Sequence, residues 1–148
     1  MPNNHFSIIG CTLKLYRVGS PGTFNIRLMN VDASNGEPET TSLANTTYDG
    51  DTLTTDTDGA NVTFTFGTPY NAKSGVMYCI RIDGPSSSAG NSINWKASTG
   101  ADYGEADFPG DVEEGYGQTS ADGGSNWTQT SGVDCWFQIN QHQYSPSN

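Results

Sequence analysis

Four aspartates lie close together in one polar segment, and their spacing could serve cation binding. The segment runs from Asp49 to Gly59 and carries carboxylates at alternate positions. Hard cations such as Ca²⁺ require several oxygen ligands, which flexible acidic loops supply. The glutamate that an EF-hand needs at its twelfth position is missing, so that motif is not matched. We predict a calcium site formed by Asp49, Asp51, Asp56 and Asp58.

Aromatic residues accompany a second acidic segment, and they could bind sugars. Residues 102–114 contain six acidic side chains and no basic one. That composition is typical of a solvated loop, and a cation-stabilised loop is the alternative. Saccharides stack their C–H faces on aromatic rings while neighbouring polar groups bind their hydroxyls. We predict a ligand-binding platform at Tyr103, Phe108, Tyr116 and Trp136, the last lying on an outer strand face or at a subunit contact.

Catalysis has little support in the residue types present. The two histidines, His5 and His142, lie near the termini, where they cannot serve a nucleophilic triad. Two carboxylates suffice for glycoside hydrolysis, but 16 acidic residues make such a pair unavoidable by chance. The cysteines at positions 11, 79 and 135 are far apart and lie in apparent strands. We therefore predict buried thiols that are not paired with each other, and a protein that is not an enzyme.

Charge and composition exclude several classes of partner. Sixteen acidic residues against six Lys and Arg give a formal net charge of -10, which opposes binding to nucleic acid or to an anionic membrane. No apolar run is long enough for a membrane span, and no signal peptide is seen at the start of the chain. We expect no nucleic-acid partner, no membrane insertion, and a location on a virion surface or outside the cell.

Alternating apolar residues indicate a series of short strands. The clearest segments are Ile9–Val18, Thr23–Val31, Asn61–Gly67, Val76–Asp83 and Asp134–Ile139. Turn residues recur about every ten positions, which predicts an all-β antiparallel sandwich of seven to nine strands. The first two segments look like a β-hairpin. One core is expected at Leu13, Leu15, Phe24, Ile26, Phe64, Phe66, Ile80 and Phe137.

We divide the chain into one β-sandwich domain, residues 1–140, and a polar tail, residues 141–148. The segment from Ser120 to Trp127 comes close to the Asp-box pattern, with Asn126 where threonine is usual. It resembles the hairpin found in sialidases and other β-proteins. That resemblance implies a structural role, in which the tryptophan packs beneath the turn.

Three segments together resemble a widespread group of jelly-roll β-sandwich domains similar to carbohydrate-binding modules. They are Leu13–Gly22, Asp49–Asp56 and Asp122–Thr128. Such domains occur in structural proteins of phages and other viruses and in secreted bacterial and archaeal proteins. The chain departs from them by an acidic insertion, Tyr103–Gly115, and by the lack of a strand before its first segment.

The missing strand predicts an open sheet edge near Ile8–Val18, which another subunit or the polar tail of a neighbour would cover. We therefore expect a non-catalytic virion structural, decoration or appendage protein that binds neighbouring subunits, as a homo-oligomer or on a capsid, with glycans as a further candidate ligand. The alternatives are a carbohydrate-binding module that binds polysaccharide for a secreted enzyme, or a subunit of an extracellular filament.

Overall fold

Strands make up nearly all the regular structure of the chain. The computed structural model describes residues 6–84, 90–99, 117–120, 124–129 and 133–143. Those ranges hold one 3-10 helix, Gly50–Thr52, and eleven strands: β1 Phe6–Val18, β2 Thr23–Val31, β3 Pro38–Asp49, β4 Ala60–Ala72, β5 Tyr78–Asp83, β6 Ser92–Trp95, β7 Ala97–Thr99, β8 Gln118–Thr119, β9 Thr128–Gln129, β10 Val133–Cys135 and β11 Phe137–Gln143. Seven of them have four or more residues, so the predicted all-β class is confirmed.

The longer strands form two antiparallel sheets. The front sheet has the order β11-β1-β4, with β6 also beside β1, and the back sheet has the order β3-β2-β5. Two short ribbons, β7–β10 and β8–β9, complete the pairings among the described residues. The sheets form a sandwich, whereas the jelly-roll order of connections stays a prediction.

The core lies between the two sheets. Phe24 and Tyr48 of the back sheet meet Phe64 of the front sheet edge to face, with ring centroids 6.0 Å and 5.1 Å from Phe64. Such aromatic pairs add to the free energy that burial supplies. The period-two pattern therefore identified correctly which side of β1, β2 and β4 is buried.

Six of the eight predicted core residues are buried at 3% exposure or less, namely Leu13, Leu15, Phe24, Ile26, Phe64 and Phe66. Ile80 is half-buried and packs against this cluster. The prediction for Phe137 is wrong, because its side chain is 43% exposed. Phe137 begins an edge strand whose only described partner is β1, so nothing there covers its outer side.

The predicted hairpin of the first two strands is also wrong. β1 pairs with β4, β6 and β11, whereas β2 pairs with β3 and β5. The turn between them carries the chain from one sheet to the other. Gly19 has a φ of 63°, and a Cβ there would lie 2.0 Å from the Gly90 carbonyl oxygen. Only glycine fits this crossing, since both the backbone angle and the space exclude a side chain.

The open edge predicted near Ile8–Val18 does not exist, because β1 lies inside the front sheet. β4 runs along one side of it, and β11 followed by β6 runs along the other. Beyond the end of the β4 ladder, the Arg17 amide donates to the Thr54 carbonyl over 2.8 Å. Both backbone edges of β1 are thus satisfied within the chain, and the pattern of side chains alone could not reveal this.

The predicted polar tail starts too early. Gln141, His142 and Gln143 belong to β11 and pair with the first residues of β1, Phe6 to Ile8. The domain boundary at residue 140 is therefore corrected to a position after Gln143. The tail was expected to lie along a neighbouring subunit, whereas the backbone of these three residues pairs with β1 of the same chain. Residues 144–148 lie outside the described part of the chain.

The three cysteines are not disulfide-bonded to each other, as predicted. Cys11 is fully buried in the core, and burial raises the pKa of its thiol to about 12. Burial likewise raises the pKa of Cys79 to about 11, against a smaller lowering by the charge of Arg81. Both thiols therefore stay protonated at neutral pH and behave as small apolar groups.

Candidate functional site

The aspartates of the predicted calcium site stabilise turns of the backbone. We call residues 49–59 the acidic turn. Asp49 Oδ1 accepts from the Asp51 amide at 3.0 Å and caps the 3-10 helix. Asp51 Oδ1 accepts from the Gly22 amide at 2.9 Å, and Asp56 Oδ1 accepts from the Asp58 amide at 3.0 Å. Within the described ranges, no three His, Cys, Asp or Glu side chains form a group that could hold a metal ion. Calcium binding here stays a prediction without geometric support.

The predicted aromatic platform is only partly within the described residues. Tyr103, Phe108 and Tyr116 lie outside them, so their role stays a prediction. Trp136 is half-buried at the joint between β10 and β11. Its amide donates to the Lys96 carbonyl at 3.0 Å, and its carbonyl accepts from Trp95 Nε1 at 2.7 Å. The backbone of Trp136 thus ties the β10–β11 joint to the end of β6.

A third layer covers the outer face of the back sheet. Met29 follows the inward-facing Leu28, so it points away from the core, yet its side chain is only 1% exposed. Arg81 lies on this outer face, opposite Arg27 on β2. The guanidinium of Arg81 lies 5.2 Å from the ring centroid of Trp127. Trp127 belongs to the β8–β9 hairpin, directly before β9. The Asp-box-like hairpin therefore packs on the back sheet.

A groove of about 400 Å³ opens between this hairpin and the turn that joins β2 to β3. We call it the Trp127 groove. The lining residues are Asp32, Asn35, Glu37, Pro38, Glu39, Thr40, Gly124, Ser125 and Trp127. It therefore combines an aromatic ring, three carboxylates, an amide and two hydroxyls, which are the side-chain types that recognise polar ring-shaped ligands.

The turn from β2 to β3 is built by hydrogen bonds within its own residues. Asp32 Oδ1 accepts from the amide and the hydroxyl of Ser34, at 2.8 Å and 2.7 Å. These two bonds lower the pKa of Asp32 below its ordinary value. Glu37 Oε2 accepts from Asn35 Nδ2 at 3.1 Å. The wall is a turn closed by its own hydrogen bonds, and it presents the carboxyl groups of Asp32, Glu37 and Glu39 to the groove.

The hairpin wall is attached to both neighbouring structures. Gln118 Nε2 donates to the Gly36 carbonyl at 2.9 Å, which joins the hairpin to the opposite wall. The Gly124 amide donates to Ser120 Oγ at 2.8 Å. Gly124 has a φ of 92°, and a Cβ there would come within 2.6 Å of an Arg81 guanidinium nitrogen. The positive φ favours glycine at this position, and a side chain here would displace the Arg81 guanidinium.

A short chain of ion pairs fixes Arg81 behind the groove. Asp83 Oδ1 lies 2.6 Å from Arg81 Nε, and Asp83 Oδ2 lies 2.7 Å from Arg27 Nε. The Arg81 side chain is 16% exposed, so its position is well determined by its surroundings. Neither arginine lines the groove, and Asp83 offsets one of their two charges.

Sequence reasoning missed this groove because its walls are about 90 positions apart in the chain. The sequence analysis assigned no site to Asp32–Thr40 and expected Trp127 to pack beneath a turn. Two signals were present: apolar Met29 and Cys79 occupy outward positions on β2 and β5, where they pair. Outward apolar residues on neighbouring strands indicate that another layer covers the sheet.

Comparisons of the chain with protein-family models, with curated proteins and with solved structures found no match. None of the described residues forms a helix long and apolar enough to cross a membrane.

Proposed function

We propose that the chain is a non-catalytic binding domain that takes up saccharides in the Trp127 groove. One observation carries the proposal: an indole, carboxylates, an amide and hydroxyls line the same open groove. A pyranose ring offers a C–H face for stacking and hydroxyls for these polar groups. Display on a virion surface or outside the cell suits a domain of this kind, as part of a particle or of a secreted enzyme.

The proposal is tested with a panel of oligosaccharides and three variants. Trp127→Leu removes the ring and should abolish binding, whereas Trp127→Phe keeps an aromatic face and should retain part of it. Tyr16→Leu, on the front sheet, is the matched aromatic control and should bind like the wild type. Calorimetry measures affinity, and circular dichroism checks that the β signal persists. Absence of binding to any saccharide, or full binding by Trp127→Leu, contradicts the proposal.

A virion or filament subunit is the second candidate, and one observation favours it. The outer backbone edges of β3 and β4 have no strand partner among the described residues. Parts of β3 and β4 lie close to each other, and the remaining parts of their edges can accept a strand from another subunit. Size measurement in solution tests it: a stable oligomer that dissociates on Thr65→Pro supports this candidate, and a monomer at high concentration opposes it.

A further inference from the structure

The charged side chains that line the Trp127 groove are all negative. Asp32, Glu37 and Glu39 lie along one wall, and no Lys or Arg is among the lining residues. Arg81 and Arg27 lie behind the groove, and Asp83 offsets one of their two charges, so the three wall carboxylates outnumber the remaining positive charge nearby. Coulomb attraction at such a site favours a cationic ligand and disfavours an anionic one.

The hydrogen bonds of the wall carboxylates also favour a cationic ligand. The two hydrogen bonds from Ser34 favour the ionised form of Asp32. Glu39 is exposed, and Asn30 Nδ2 donates to its Oε2 atom over 3.4 Å, which is a weak hydrogen bond. Oxygen lone pairs of Glu39 therefore remain available to a donor from a ligand.

Aromatic and carboxylate groups in one groove match a particular kind of sugar. We propose that the ligand is an oligosaccharide with free amino groups, such as an oligomer of glucosamine, and this rests on the proposed saccharide function. The sugar ring stacks on Trp127, and its ammonium groups donate to the glutamate carboxylates. Hydrogen bonds between charged partners are stronger than neutral ones.

The test compares two ligands that differ only in charge and acetylation. Binding of a glucosamine hexamer and of an N-acetylglucosamine hexamer is measured by calorimetry at about pH 5.5, above the ordinary carboxyl pKa values of about 4. The glucosamine amines are protonated there. The expected result is about tenfold or greater preference for the glucosamine hexamer, reduced by added salt.

Matched variants assign the preference to the groove. Glu37→Gln with Glu39→Gln removes two charges and should abolish the preference while leaving weak binding of the acetylated hexamer. Asp56→Asn with Asp58→Asn removes two charges in the acidic turn and should leave the preference unchanged. An equal loss in this control would mean diffuse attraction by the net charge, and the inference would be wrong.

The outcomes separate this inference from the function on which it rests. Equal affinity for both hexamers, with dependence on Trp127, overturns the amino-sugar inference and leaves saccharide binding in place. Binding of neither hexamer nor any other saccharide overturns both. Displacement of the glucosamine hexamer by an equal concentration of lysine hexapeptide would identify basic peptide as the ligand class, and the inference would again be wrong.

Discussion

The chain contains two acidic segments at which carboxylates do different work. In the acidic turn, residues 49–59, the carboxylates of Asp49, Asp51 and Asp56 each accept from a backbone amide. In the wall of the Trp127 groove, the side chains of Glu37 and Glu39 accept from asparagine side chains within the described part of the chain, at 3.1 Å and 3.4 Å. The first segment uses its oxygens to fold the chain, and the second leaves oxygens directed to solvent beside an aromatic ring.

The contrast shows why counting carboxylates does not locate a binding site. The acidic turn has the more regular spacing, and by sequence it is the better candidate for a metal. Its aspartates, however, stabilise turns, a role that the type and spacing of the residues equally allow. A site requires groups whose hydrogen-bonding capacity is not already used, together with a concave surface that collects them.

The largest effect is expected in the core that supports both segments. Phe64→Ala removes a ring that is 2% exposed and contacts Phe24 and Tyr48 across the sandwich. The free energy of unfolding should fall by about 3–5 kcal/mol, measured by urea denaturation. Val62→Ala, at a partly buried position of the same strand, should cost less. A loss below about 1 kcal/mol for Phe64→Ala would contradict the packing of the two sheets.

A smaller effect should distinguish the acidic turn from the groove. Asp51→Ala removes the acceptor of the Gly22 amide and should lower the free energy of unfolding by about 1 kcal/mol. Asp51→Asn keeps an acceptor oxygen and should lower it less. Saccharide affinity should stay unchanged in both variants, because Asp51 does not line the groove. Equal stability of the alanine variant and the wild type would remove the structural role argued for this aspartate.

The groove should show the opposite pattern. Glu39→Gln changes an exposed side chain that holds no turn together, so its effect on unfolding should remain within about 0.5 kcal/mol. Affinity for a ligand in the groove should nevertheless fall. Urea denaturation and calorimetry on the same preparation measure both quantities. A clear loss of stability without a loss of affinity would make the two acidic segments alike, and the comparison would fail.

The sequence predicted which face of a strand is buried better than it predicted which strands lie side by side. A period of two in residues such as Leu13 and Ile26 reports which face of a strand meets the core. It carries no information on which strand lies alongside, so β1 and β2 were paired in a hairpin although they face each other across the core. The partners of β1 include β11, whose residues lie more than 120 positions away.

The site was less predictable than the fold for a related reason. The Trp127 groove exists only where Asp32–Thr40 meets Gly124–Trp127, and neither segment carries a metal or catalytic motif by itself. Local turn chemistry explains each wall separately. Their meeting depends on the packing of the β8–β9 hairpin on Arg81, which a pattern of residue types does not encode in one segment.

The smallest effect concerns the ionisation of Asp32, the one groove carboxylate that also folds a turn. Two hydrogen bonds from Ser34 hold its pKa below the ordinary value of 3.8. A folded-state pKa below the unfolded one means that this carboxylate stabilises the fold above the unfolded value and loses that contribution as the pH falls through the folded one.

Ser34→Ala removes the hydroxyl bond and keeps the amide bond, so the pKa of Asp32 should move part of the way back toward 3.8. Carboxyl chemical shifts followed by NMR across the acid range measure the change, with Ser20→Ala as a serine control outside the turn. A wild-type Asp32 that titrates at or above the ordinary value would contradict the geometry of the turn. If Ser34→Ala shifts the titration of Asp32 without lowering the affinity for the ligand, Asp32 has a structural role like the aspartates of the acidic turn. The two glutamates alone would then supply the charge that the ligand meets in the groove.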